Sequence, residues 1–210
     1  HPGTIVCTDI SNERLADLRT SFEAEAVDKG IEFVCLNPME KDAYQAGMAR
    51  FKESGFDNII ILAPIPPVIA DAATYLGQEG VMNIFAGVAR GKVAPIDVST
   101  IYLRQTRVIG HSASTIENMR SMLFQAEAGQ LSPNRSVAAI GSLEAAWDGL
   151  TAVQETVYPG KIVIYPHIKP LPLTAITDLK DKLPSVYAKL RNGNEWTNEA
   201  EAELLRLMAR

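Results

Sequence analysis

No G-x-G-x-x-G turn occurs anywhere in the 210 residues, no histidines or cysteines stand at metal-ligand spacing, and no apolar run reaches the roughly 18 to 20 residues that cross a bilayer. The first absence means that the chain does not carry the glycine turn that lets backbone amides approach a pyrophosphate. The nearest candidate, Gly87 and Gly91 in GVARG, has the wrong spacing and follows the wrong strand. The second leaves His1, His111, His167, Cys7 and Cys35 scattered along the chain, so no zinc or other metal site is expected from these residues. The third, with an N-terminus HPGTIV that lacks the charged and apolar regions of a signal peptide, points to a cytoplasmic protein without a membrane partner.

Positive charge is also in short supply. Lys and Arg number 20 against 25 Asp and Glu, a formal net charge of −5, which gives no electrostatic footprint for nucleic acid. The only cysteines, Cys7 and Cys35, each lie inside an apolar run, as reduced buried thiols do, and cannot build a disulfide framework. No G-x-S-x-G elbow or other nucleophile motif is present.

What is present is an alternation. Apolar, β-branched runs at 4–8, 31–36, 58–63 and 81–86 are separated by segments with helical spacing, the pattern of βαβ units and a parallel sheet. The first such segment has Ser11 as N-cap, Leu15, Leu18 and Phe22 on one face, and Gly30 as its stop. The second repeats this with Tyr44, Met48 and Phe51 before Gly55, and the third opens at Pro66–Pro67 and reads as helical through IPPVIADAATYLGQEG. The loop GVARGKVAPIDVS leads to IYLRQTRVIG, an expected edge strand. A helix start follows near residue 115, with Ser114 and Glu117 spaced as a capping box. SVAAIG, LEAAWDGLTAVQ and KIVIYP then form a β–helix–β unit, and a proline-punctuated linker leads to two helices, one starting at 197–201 with Leu204, Leu205 and Met208 inward.

In a doubly wound sheet ligands bind outside the carboxyl ends of the strands. Asp9 ends the first run, and an acid there can accept hydrogen bonds from both hydroxyls of an adenosine ribose, favouring NAD over NADP. The structural alternative is that Asp9 helps to cap the helix behind it. The ribose-binding acid normally lies about 20 residues beyond the glycine turn, so counting back from Asp9 leads off the front of the chain. The fold class expected is therefore α/β: a Rossmann-like parallel sheet flanked by helices, its first strand and glycine-rich turn missing, plus a small α+β C-terminal part with a helical tail. His111 could act near a cofactor or simply close a turn. Lys161 and Lys169 could reach a phosphate, against the default of solvated surface lysines.

VMNIFAGVARG, PIDVSTIYLRQTRVIGHSAST, ENMRSMLFQAEAGQLSPNRSVAAIGSLEAAWDGLTAVQ and PGKIVIYP together resemble the C-terminal half of a zinc-containing medium-chain alcohol or polyol dehydrogenase. The tail, with LPLTAITDL and GNEWTNEAEAELL, is similar to that of the L-sorbose-1-phosphate reductase branch. The resemblance implies that Asp9 binds the adenosine ribose of NAD and that the loop Ala63–Pro64–Ile65, continuing to Pro67, passes the adenosine end. It implies further that Ala86–Gly87–Val88 runs along the nicotinamide ribose and that Gly110–His111–Ser112 approaches the nicotinamide. It divides the chain into a partial NAD-binding domain over 1–133, a returning segment of the catalytic domain over 134–168 and a helical extension over 169–210. The family's zinc ligands and proton relay belong to an N-terminal domain, so no catalytic residue is carried over. The implied function is that of the cofactor-binding part of an NAD-dependent oxidoreductase acting on a polyol, alcohol or sugar phosphate. That part is expected to be inactive alone and to sit in a homodimer or tetramer. The competing reading is a self-contained, non-catalytic flavodoxin-like or regulatory α/β module that binds a small ligand.

Overall fold

The structure is a computed structural model that describes residues 2–110 and 114–209, and it divides into two compact units, His1–Ser114 and Thr115–Arg210. In the first unit the order is β1 (Thr4–Thr8), α1 (Asn12–Asp28), β2 (Glu32–Leu36), α2 (Lys41–Ala49), β3 (Phe56–Ile61), α3 (Pro66–Ala73), β4 (Leu76–Ile84), α4 (Ser99–Leu103) and β5 (Arg107–Gly110). Every pairing within this unit is parallel.

Local chemistry accounts for most of these bounds. The Ser11 hydroxyl accepts the Arg14 amide at 3.3 Å and starts α1, and Gly30, at φ +66, turns the chain away after it. Leu15 and Ala26 of α1 are buried, and Phe22 packs on Phe33 with ring centroids 6.5 Å apart. β2 lies between two helices: Cys35 is buried, and on the α2 side a Cβ at Gly47 would stand 2.8 Å from a Leu36 methyl. Ile61, Ile69, Leu76 and Met82 form the core between β3, β4 and α3.

The strands form two ladders, β1–β2 and β3–β4–β5, and among the described residues no pairing joins β1 to β3. The two are tied at one end through α2, where Arg50 pairs with Glu32 at 2.8 Å and Phe51 stacks on Phe56 at 4.7 Å.

Three sequence expectations need correction. The third helix stops at Ala73, and TYLGQEG belongs largely to β4, which starts at Leu76 instead of Val81. The reason is a close approach: a Cβ on Gly77 would meet the Ser54 carbonyl at 2.6 Å, so glycine lets β4 lie against the turn before β3. IYLRQTRVIG is not one strand; its first part is α4, Gln105 turns at φ 54, and only Arg107–Gly110 pairs, as the edge strand of its ladder. The capping box before the next helix uses Thr115 and Asn118, whose side chains each bond the other's backbone amide (3.0 and 3.2 Å), not Ser114 and Glu117.

The second unit contains α5 (Ile116–Glu127), β6 (Val137–Ser142), α6 (Ala146–Gln154), β7 (Lys161–Tyr165), β8 (Thr174–Ala175), α7 (Leu179–Lys182), α8 (Pro184–Tyr187) and α9 (Asn198–Met208). β6 is central, parallel to β7 and antiparallel to the two-residue β8. Its core runs from Val137 and Ile140 through Ile168, Leu179 and Val186 to Trp196 and Leu204. Buried Ser142 both donates to and accepts from the Leu171 backbone, at 3.1 and 3.0 Å, fixing the proline linker against β6. Thr197 caps α9 through the Ala200 amide at 3.0 Å.

Candidate functional site

The carboxyl ends of the strands in the first unit carry the loops that sequence singled out, in two groups. At the end of β1 the Asp9 amide donates to the Leu36 carbonyl at 3.4 Å. One carboxylate oxygen of Asp9 accepts the Ser11 amide at 2.8 Å, and the other lies 3.7 Å from an Arg14 guanidinium nitrogen. Asp9 therefore does shape the turn before α1, yet Ser11 is the cap, and the Asp9 side chain remains 29% exposed beside Arg14.

The turn is held by the first residue after β2. Asn37, 8% exposed, donates to the Ile10 carbonyl at 3.1 Å and to the Asn12 side chain at 2.8 Å, while its own oxygen accepts the Met39 amide at 2.9 Å. Asn37 thus clamps the segment that presents Asp9 onto the end of β2. Asn37 follows Cys35 by two residues as Asp9 follows Cys7, and the β1–β2 register pairs Cys7 with Cys35, which sets Asn37 beside Asp9. The two cysteines, far apart in sequence, are neighbours across the β1–β2 ladder, both free thiols pushed up by burial.

The second group lies at the ends of β3, β4 and β5. The Ile65 amide closes a tight turn onto the Ala63 carbonyl at 2.8 Å, with Pro64 and Ile65 exposed and Pro66–Pro67 opening α3. The amides of Phe85 and Ala86 both donate to the Ile61 carbonyl, at 3.1 and 3.0 Å, and Val88 donates to Ala86 at 2.9 Å. These bonds hold Ala86–Val88 against the end of β3, and a Cβ on Gly87 would meet nothing within 4 Å. The register Ile61, Ile84, Gly110 sets Gly110 in the same row. His111 and Ser112 lie outside the described residues. The structure thus gathers Ala63, Pro64, Ile65, Ala86, Gly87, Val88 and Gly110, and holds Asp9 with Asn37 on the separate β1–β2 ladder.

Two hollows adjoin these loops. One, about 280 Å³, is largely apolar and lies between Pro66, Ile69, Ile84, Val88 and Ile96, with Lys92 at its wall. The other, about 550 Å³, lies between α2 and α3 near Lys41, Tyr44, Lys52, Asp71 and Tyr75. There the Tyr44 hydroxyl donates to Asp71 at 3.3 Å, and burial, with the Asp71 charge, pushes Tyr44 up to about 12. Because the folded value lies above the ordinary 10, the stability from neutral Tyr44 is complete below pH 10 and lost as pH rises toward 12. Urea titrations at pH 9 and pH 11.5 are expected to show a smaller loss for Tyr44→Phe than for the parent; equal losses would remove Tyr44 from the alkaline transition.

A nicotinamide dinucleotide fits these residues in part. Asp9 offers a carboxylate oxygen for ribose hydroxyls and Gly87 leaves room for a ligand, but no glycine turn opens a helix to cradle a pyrophosphate. Zinc does not fit: among the described residues no three His, Cys, Asp or Glu side chains are grouped to hold a metal ion. Lys169 donates to the Leu207 carbonyl at 3.3 Å and is engaged in the fold of the second unit.

A parallel α/β sheet with an acid at the end of one strand and exposed loops at the ends of its neighbours has the frame of a Rossmann-type fold. The solved structures agree on the fold: an alcohol dehydrogenase zinc-binding domain protein from Burkholderia ambifaria (TM-score 0.59, 21% identity, 78% of this chain and 42% of that one) and 2R,3R-butanediol dehydrogenase from Bacillus subtilis (0.57, 18%, 78% and 44%). No family model matches the chain. Relatives by sequence include YggP, an uncharacterized protein of Escherichia coli K12, 32% identical over 97% of this chain and 50% of its own length. They include also mannitol-1-phosphate 5-dehydrogenase of Aliivibrio fischeri (29%, 97% and 50%) and L-sorbose 1-phosphate reductase of Klebsiella pneumoniae (28%, 98% and 48%). The chain is thus similar in sequence to these sugar-alcohol and ketose phosphate enzymes and in fold to alcohol dehydrogenases, and it spans about half the length of the curated relatives it matches.

Proposed function

We propose that the chain is the cofactor-binding portion of an NAD-dependent oxidoreductase acting on a polyol or sugar phosphate, with turnover only when joined to a catalytic domain that supplies the zinc. The observation that carries this reading is the Asp9 carboxylate: it stands at the carboxyl end of β1, on a segment held by Asn37, with its side chain 29% exposed. The relatives that act on sugar-alcohol and ketose phosphates support the substrate class. NAD would supply the hydride acceptor. Asp9 would take the two hydroxyls of the adenosine ribose and repel a phosphate there, Ala63–Ile65 would flank the adenosine, and Ala86–Val88 with Gly110–Ser112 would line the nicotinamide side. Domains over 1–133, 134–168 and 169–210 belong to this same reading, as do residence in the cytoplasm and a homodimer or tetramer paired through the β5 edge.

The test is an assay of the 210-residue chain with mannitol 1-phosphate, L-sorbose 1-phosphate and NAD or NADH. No change in absorbance of the reduced cofactor is expected, and turnover by the chain alone would overturn the reading. A second outcome concerns Arg14, the cation beside Asp9. Asp9→Asn removes the charge that repels a 2′-phosphate and leaves Arg14 to receive it, so the preference for NADH over NADPH is expected to fall by about tenfold or more. An unchanged ratio would assign the carboxylate to the turn alone.

A further inference from the structure

Cys7 and Cys35 are partners in the β1–β2 register, and the nucleotide reading uses neither thiol. Residues paired in register across a parallel ladder point to the same face, and neighbouring strands lie about 4.7–4.9 Å apart. The two side chains therefore leave the sheet side by side, about one strand spacing from each other. That separation decides what can join them. A disulfide sets its sulfurs about 2.05 Å apart and its Cβ atoms about 3.5–4.5 Å apart, so it would pull the strands together. A metal ion between the sulfurs, with metal–thiolate bonds of about 2.3 Å in line, spans about 4.6 Å and leaves the ladder as it is.

The surroundings select the ion. The next pair on this face is Ile5 with Phe33, and α1 lies over it: Phe22 packs on Phe33, and Arg19 donates to the Cys35 carbonyl at 2.9 Å. Hard cations that keep oxygen ligands and water find neither in so apolar a setting. Zinc wants four ligands, and among the described residues no third His, Cys, Asp or Glu joins the two thiols. Soft thiolates favour copper(I) instead. Arg19 supplies a second, independent observation. Burial holds the Cys35 thiol above its ordinary value, the Arg19 charge and hydrogen bond act against that shift, and Glu23 adds to it. Two thiolates around a monovalent cation carry one net negative charge, and the Arg19 guanidinium stands where it offsets that charge.

We propose that Cys7 and Cys35 form a two-coordinate site for a soft monovalent cation of the copper(I) class, with Arg19 as its counter-charge. Binding forms two sulfur–metal bonds and releases two thiol protons to solvent, with no change of oxidation state. The occupied site ties β1 to β2 two residues ahead of Asp9 and Asn37. The inference stands apart from the dehydrogenase reading, because it uses neither the Asp9 carboxylate nor the loops after β3 and β4.

Anaerobic titration of the full chain with copper(I), in competition with a chromophoric copper(I) chelator, tests it, and iodoacetamide labelling read by intact mass follows the thiols. One ion per chain is expected, with both cysteines withdrawn from alkylation together, whereas zinc is expected to protect neither. Cys7→Ser and Cys35→Ser are each expected to lose the ion to the chelator. Cys7 is only half-buried, so Cys7→Ser decides the need for the pair even where loss of the buried Cys35 thiol unfolds the unit. Arg19→Gln keeps both thiols and is expected to weaken binding by about tenfold. Retention of the ion by Cys7→Ser would overturn the proposal, and so would parent affinity in Arg19→Gln. Protection of one cysteine without the other would also contradict it, as would loss of two hydrogens with no bound ion, which makes the pair a disulfide.

Discussion

Trp196→Ala is expected to destabilise the second unit by about 3–5 kcal/mol and to lower its thermal transition by more than about 10 °C. Trp196 is 2% exposed, the largest of the fully buried side chains, and its ring lies 6.4 Å from that of Tyr165. It belongs to a core assembled from distant parts of the chain, with Val137 and Ile140 of β6 and Val186 and Leu204 of the tail helices. Truncation leaves a cavity that the short helices α7 and α8 cannot close without losing their own contacts, because each is only four residues long. Intrinsic fluorescence reads the parent directly, since the other tryptophan, Trp147, is 77% exposed and emits as a solvated ring. Circular dichroism melts read the variant. A loss below about 1 kcal/mol would mean that β6 and the tail do not share one core.

Asn37→Ala has the second largest expected effect, about 1–3 kcal/mol of stability in the first unit. The amide is nearly buried and serves two acceptors and one donor, so its removal leaves the Ile10 carbonyl and the Met39 amide without their partner. The consequence for function is distinct from the loss of stability. Asp9 stays in place chemically, but the segment that carries it is freed from β2, so nucleotide binding is expected to weaken by about tenfold even below the unfolding transition. Asn37→Asp keeps the Met39 amide satisfied while giving up the two donated bonds, and it places a second negative charge beside the Asp9 turn. It is expected to weaken binding further than alanine. Urea unfolding separates the stability term from the binding term. Unchanged nucleotide binding in a folded Asn37→Ala variant would show that the turn holds itself.

The strand–helix alternation was legible because β-branched apolar runs recur between segments of helical spacing, and Thr4–Thr8 is β1 residue for residue. Ser11, Gly30 and Thr197 were legible because caps act within a few residues of themselves. What sequence hid was tertiary. TYLGQEG continues a helical pattern, and only the approach of Gly77 to Ser54 makes it a strand. The β8 pair Thr174–Ala175 is too short to show a period, and exists because Ile140 and Ala139 offer an edge to it. Asp9 stood out as an acid at a strand end, whereas Asn37 acquires its role from the β1–β2 register, which nothing in either segment announces.

The central claim, that Asp9 and the loops after β3 and β4 receive a nicotinamide dinucleotide, is tested most directly by titrating the isotopically labelled chain with NADH and following backbone amides by NMR. The account predicts weak binding, with Kd on the order of 1 mM because the pyrophosphate cradle is lacking, and shifts concentrated at Asp9, Ser11, Ala63, Ile65 and Ala86–Val88 that Asp9→Asn diminishes. Shifts confined to the hollow at Tyr44 and Tyr75, or none at Asp9 at saturating NADH, would contradict it.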